Sequence, residues 1–219
     1  MGQRPKWLGP PDFDIDDEIV IPGPRPESTM TTSAPTLTTT PDAHDDFYEI
    51  LDGVRVEIPA MGAYENILAT LLAGWLNEFA RPRKIGLAVT EVLFRLDGDS
   101  LSRRPDVAFV TYDRWNANDV ARENAWDVIP NLAVEIVSRT NFAEEIERKM
   151  LEYFSAGVQL VWVIYPEVKR VYAYSSPTHV RPIGVTDVLD GGEVLPGFRL
   201  PLADLFAATS RPENRSPAE

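Results

Sequence analysis

Cysteine is absent from this 219-residue chain, and histidine occurs only at His44 and His179. Without cysteine there is no disulfide framework, no zinc-thiolate centre and no thiol nucleophile. The two histidines lie in Thr/Pro-rich and Ser/Pro-containing stretches, which argues against a histidine base or a multi-histidine metal site. Long hydrophobic runs are also missing. The longest apolar stretch, Ile67 to Leu76, is too short to span a bilayer, and no charged-then-apolar N-terminal signal precedes it. The chain is therefore expected to be cytoplasmic and to have no membrane partner. It has neither a Gly-rich phosphate loop ending in Lys-Ser/Thr nor a Gly-x-Ser-x-Gly elbow, so P-loop nucleotide hydrolysis and serine hydrolysis are poorly supported. Catalysis would fall to Asp, Glu, Lys, Tyr or Ser.

Positive charge is in short supply, with a net charge of −13. Residues 1–45 hold 8 acids against 3 Lys/Arg, so −5 of that charge lies there and −8 remains in the rest. Such a balance opposes a surface that attracts nucleic acid everywhere, while leaving room for a local basic groove. Hydrophobic residues make up 44% of the chain, enough for one domain with a real core. Residues 1–45 read as a disordered, acidic, Pro/Thr-rich tail, within which Met30 opens a plausible alternative start. The folded domain is expected over 46–206 and a second disordered tail over 207–219.

Within that domain, Asp52-Gly53 between Phe47–Leu51 and Val54–Ile58 predicts a β-hairpin. Ile67, Leu68, Leu71, Leu72, Trp75, Leu76 and Phe79 recur at helical spacing, so Ala63 to Phe79 is expected to pack as an amphipathic helix on a sheet. Lys84–Leu96 reads as one or two strands, Pro105–Thr111 as another, and Arg114–Asp127 as a loop or short helix. Leu132–Val137 fits a central strand covered on both faces. A second helix over Asn141–Ala156 should end at Gly157, with strands over Gln159–Tyr165 and Arg170–Tyr174 and a short strand and turn within Gly191–Phe206. The fold class is α/β, with a mixed sheet, an N-terminal hairpin and two main helices.

Two of these strands carry an acid where stability would not place one. Asp106 shares a strand face with Ala108 and Val110, opposite Val107 and Phe109. Glu135 stands mid-strand among Leu132, Ala133, Val134, Ile136 and Val137, where an unpaired carboxylate costs several kcal/mol, or roughly that order. With Ile146 set at zero on a helical wheel, Lys149 falls near about −60°, beside the apolar arc through Tyr153, while Glu144, Glu147, Arg148 and Glu152 fall on the outer side. Simpler accounts stand beside each residue: a solvent-exposed cap for Asp106, a buried arginine partner for Glu135, and a snorkelling chain or a pair with Glu145 for Lys149. Taken together, two acids and a lysine on successive elements suggest a divalent-metal site. Mg²⁺, or Mn²⁺ in its place, prefers one or two carboxylates plus waters, and a nearby lysine can orient or deprotonate an attacking water.

At these residues the chain resembles a family. Tyr48-Glu49-Ile50-Leu51-Asp52-Gly53, Arg104-Pro105-Asp106-Val107-Ala108, Leu132-Ala133-Val134-Glu135-Ile136-Val137-Ser138, Lys149-x-x-x-Tyr153, Ala156-Gly157-Val158, Val161-Trp162-Val163 and Leu195-Pro196-Gly197-Phe198 occur in the order found in the Uma-type endonucleases. That family is a bacterial branch of the restriction-endonuclease-like PD-(D/E)XK superfamily, and the likeness runs over about residues 46–206. It implies a restriction-endonuclease-like core, with Asp106 and Glu135 as metal ligands and Lys149 as the third catalytic residue. The usual lysine stands two residues after the acid; here Val137 holds that position, and the lysine has moved to the next helix. Departures from the family pattern are Tyr64-Glu65, where many relatives carry a histidine, and Arg139, where they often have proline.

The resemblance implies a Mg²⁺-dependent endonuclease acting on nucleic acid, with DNA favoured and a homodimer expected by analogy. Candidate phosphate contacts are Arg103, Arg104 and Arg139, with Arg81, Arg83 and Lys84 as a second cluster. That cluster is equally explained as the basic end of a helix. Glu57 and Glu91 are candidate extra ligands. The alternatives are a catalytically inactive binding module on the same fold and a different metal-dependent phosphoesterase.

Overall fold

The computed structural model describes residues 47–115, 125–139 and 141–209. The expected N-terminal tail with Met30, nearly all of the C-terminal tail, and the middle of the Arg114–Asp127 segment lie outside the described residues. The first elements are the expected hairpin strands, β1 (Tyr48–Leu51) and β2 (Val54–Glu57). Their turn places Asp52 at φ 52° and Gly53 at φ 76°, the doubly left-handed geometry whose twist matches two paired strands. Pairing continues through β5 (Leu101–Arg103) to β4 (Phe94–Asp97), giving an antiparallel sheet of order β2-β1-β5-β4.

A larger sheet contains β3 (Gly86–Thr90), β6 (Val107–Thr111), β7 (Leu132–Ile136), β8 (Leu160–Tyr165), β9 (Arg170–Ser176) and β10 (His179–Ile183), in the order β10-β9-β8-β7-β6-β3. Within this sheet β7 and β8 are parallel and the other pairs antiparallel. Helix α2 (Ala143–Ala156) makes the crossover that a parallel pair requires. It stops where Gly157 takes φ 100°, a left-handed residue that lets its own N–H and that of Val158 reach the last-turn carbonyls.

Strand alternation divides the side chains between two cores. On one face Val107, Phe109, Leu132, Val134 and Trp162 pack against Leu68, Leu72 and Leu76 of α1 (Ala63–Ala80). On the other, Ala108, Val110, Ala133, Val161 and Val163 meet Ile146, Met150 and Tyr153 of α2, together with Phe94 and Leu96 of the smaller sheet. Each fully buried Leu, Val or Phe contributes about 1.5–3 kcal/mol.

A terminal hairpin, β11 (Val188–Gly191) and β12 (Leu195–Pro201), is followed by α3 (Leu202–Ala207). The expected strand and turn over 191–206 thus ends in a helix. Leu202, Leu205 and Phe206, three and four positions apart, bury one face of that single turn and a half in the α1-side core.

Two asparagines fix the frame. Asn77 of α1 exchanges hydrogen bonds with the backbone of Ala88, at 2.9 and 2.8 Å, which ties the helix to the edge strand β3. Asn131 accepts from the Thr111 N–H and hydroxyl, both at 2.9 Å, and donates to Gln159 at 2.8 Å, joining the ends of β6, β7 and β8. Among the described residues no helix is long and apolar enough to cross a membrane.

Candidate active site

Register brings the two acids together. Val107 pairs with Val134 and Ala108 with Ala133. One further step along these antiparallel strands sets Asp106 opposite Glu135, on the face turned toward α2. The Ile136 N–H donates to Asp106 Oδ2 at 2.5 Å, which fixes the acid at the strand end. Both carboxylates line a cleft of about 640 Å³ between α2, the ends of β6 and β7, and the segment 58–62 before α1.

Lys149 enters from α2, within the buried stripe Ile146, Lys149, Met150, Tyr153. Its ammonium donates to Glu135 Oε2 at 3.0 Å, and the Tyr153 hydroxyl donates to Glu135 Oε1 at 2.6 Å. The partner of Glu135 is therefore a lysine and a phenol, and Glu145 is not the acid that engages Lys149. Tyr153, read from sequence as mid-stripe, is fully buried and reaches the acid with its hydroxyl.

A third acid, not singled out from the sequence, completes the group. Glu49 of β1 is 1% exposed, with Oε1 3.5 Å from Lys149 Nζ and 3.1 Å from the Arg104 N–H. Its other oxygen pairs with the Arg103 guanidinium, which also donates from Nε to Glu152 at 2.6 Å. Arg103 has no exposed surface, so a phosphate cannot reach it; its neighbours already satisfy its charge. Glu152, expected on the solvated side of α2, turns inward for the same reason. The one sequence signal for Glu49 is its place in the Tyr48–Gly53 segment that carries the family resemblance.

The remaining candidates separate by position. Arg104 lines the cleft, donating to the Glu91 carbonyl at 2.6 Å, with its guanidinium 5.2 Å from the Phe47 ring centroid. Arg139 lies at the rim in an exposed pair with Glu167 at 3.0 Å. Glu91 lines the cleft, whereas Glu57 stands on the fully exposed strand β2. Arg81, Arg83 and Lys84 follow α1 away from the cleft lining, and Arg83 caps the Phe79 carbonyl at 2.7 Å.

Electrostatics mark the site. Burial, and then the charge of Glu135, push the Asp106 carboxyl up to about 8. Burial also raises Glu135, although Lys149 and the Tyr153 hydroxyl pull it back. Burial works to lower Lys149, but Glu135 and Glu49 outweigh it and hold the lysine above its usual value. Both acids are buried where ionisation is costly, and a nearby divalent cation would offset that cost. Among the described residues no group of three or more acids or histidines forms a metal cage. Two carboxylates with the rest left to water and substrate oxygens is the donor set that suits a hard cation such as Mg²⁺.

The mixed sheet with its α2 crossover defines an α/β fold. One solved structure sharing this fold is described as a "putative nuclease belonging to DUF820" from Anabaena variabilis, with a TM-score of 0.65 and 19% identity over 74% of this chain and 91% of that one. The chain belongs to the Uma2 family, described as "Putative restriction endonuclease", whose model matches residues 35–203. No curated protein matches significantly.

Proposed function

We propose that this protein is a divalent-metal-dependent endonuclease that hydrolyses phosphodiester bonds in nucleic acid, with DNA as the favoured substrate. The convergence of Asp106, Glu135 and Lys149 on one cleft, in a chain of a nuclease family, carries this reading. Asp106 and Glu135 would hold Mg²⁺ or Mn²⁺. Bound there, the cation supplies Lewis-acid polarisation of a phosphoryl oxygen and lowers the pKa of a bound water.

The chain's own groups do the rest. Lys149, an ammonium between two carboxylates, orients the water or offsets phosphate charge as a fixed donor. Tyr153 holds the second oxygen of Glu135, so the carboxylate cannot rotate away from the cleft. Arg104 offers a cation on the cleft wall and Arg139 a second at the rim, in reach of substrate phosphates. Cutting both DNA strands would call for two clefts, which a homodimer supplies.

A second reading is supported by the lining itself. Glu65, Glu91, Glu145 and Glu167 join Asp106 and Glu135 around the cleft, against only Arg104, Arg139 and Lys149 among the lysines and arginines there. Unneutralised, that balance repels a polyanion and fits a catalytically inactive binding or interaction module. The deciding experiment is cleavage of supercoiled plasmid, single-stranded DNA and RNA in Mg²⁺ or Mn²⁺, beside Glu135→Ala and Lys149→Ala. The nuclease reading expects metal-dependent cutting lost in both variants. A folded wild type that neither cuts nor gains thermal stability from either metal supports the binding module instead.

A further inference from the structure

We propose that Glu49 is a positioning residue for Lys149: it anchors the ammonium together with Glu135, and the N-terminal hairpin is thereby part of the active centre. The proposal rests on the nuclease reading only for its rate measurements. A lysine on a helix reaches its target through four methylenes, each a rotatable bond. Here Lys149 is 7% exposed and stands between Glu135 Oε2 at 3.0 Å and Glu49 Oε1 at 3.5 Å, on two different sheets.

Glu49 is itself held rigidly. Its Oε1 accepts the Arg104 N–H at 3.1 Å, and its Oε2 pairs with Arg103, which is clamped in turn by Glu152. The backbone of β1 is fixed by pairing to β5, Ile50 with Ser102 and Leu51 with Leu101. Position is thus transmitted from α2 through Glu152 and Arg103 to Glu49, and back to α2 at Lys149. A group so placed costs about 10–100-fold in activity when removed, without touching the substrate.

The test measures initial rates of Glu49→Gln beside the wild type, combined with ¹⁵N spectra of the lysine ammonium groups. Glu49→Gln keeps an acceptor for the Arg104 N–H. Should it fold poorly, Glu49→Gln with Arg103→Met removes both charges and replaces it in both measurements. The expected result has two parts: kcat down about tenfold or more at nearly constant KM, and disappearance of an exchange-protected ammonium signal present in the wild type. An unchanged kcat, or a protected signal that survives Glu49→Gln, would overturn the anchor. If the wild type cuts no polynucleotide with either metal, the nuclease reading fails, and the ammonium signal alone decides the anchor.

Discussion

The two faces of the central sheet are lined by the same strands but bury different chemistry. Toward α1 every buried helix position is Leu or Ala. Toward α2 the buried stripe includes Lys149 and Tyr153, answered by Glu135 from the sheet and Glu49 from the hairpin. Desolvating charges is costly, and pairing them rarely does better than apolar side chains of the same volume. The α1 face therefore supplies the stability that lets the α2 face hold a polar cluster.

Four measurements bear on this division. Glu135→Gln, which keeps the shape and removes the charge, should slow cleavage at least about a hundredfold in initial-rate assays; a nearly wild-type rate would detach the polar face from the chemistry. Leu72→Ala, deep in the other face, should lower unfolding free energy by about 2–5 kcal/mol in urea melts. The kcat of its folded fraction should not change, and a loss there would mean that the α1 face also tunes the site. Replacing the central pair by Lys149→Met with Glu135→Leu should abolish cleavage while leaving stability equal, or raised by about 1–4 kcal/mol. A less stable double variant would make the ion pair a structural element.

The smallest effect is a slope with pH. Because Asp106 titrates near about 8 in the folded chain and 3.8 is its ordinary value, the native state binds its proton more tightly than the unfolded state. In the presence of a chelator, the stability from this group is complete below about pH 4 and fades as pH rises through about 8. Solvent at this partly covered acid keeps the slope shallow. Melting temperatures of Asp106→Asn should lose that slope, and those of Leu72→Ala should keep it.

Much of this division is legible in the sequence because it is local. Strand geometry puts Asp106 on the face of Ala108 and Val110, the apolar run singles out Glu135, and the helical period places Lys149 beside the apolar arc; only the β6–β7 register brings the two acids to one face. Glu49 is harder to read because the rule inverts. In β1 the acid is buried, while Tyr48, Ile50 and Leu51 are only partly covered. Its reason for burial is Arg103, 54 residues away, and such pairings leave no periodic trace. Helix α3 escapes because six residues cannot display a period, and its burial depends on α1. The four-stranded sheet is likewise invisible locally, since β1 meets β5 across an intervening helix and three strands.

The Asn131 clamp has an evolutionary consequence. It closes the far ends of β6, β7 and β8, so the spacing of Asp106 and Glu135 is set without reference to the chain that joins the first two strands. None of the described residues of that connection lines the cleft, and its Trp126 is tied to the smaller sheet through the backbone of Leu93 and Arg95. Lineages of this protein can therefore vary that segment without moving the acids, whose spacing is set by the β6–β7 register.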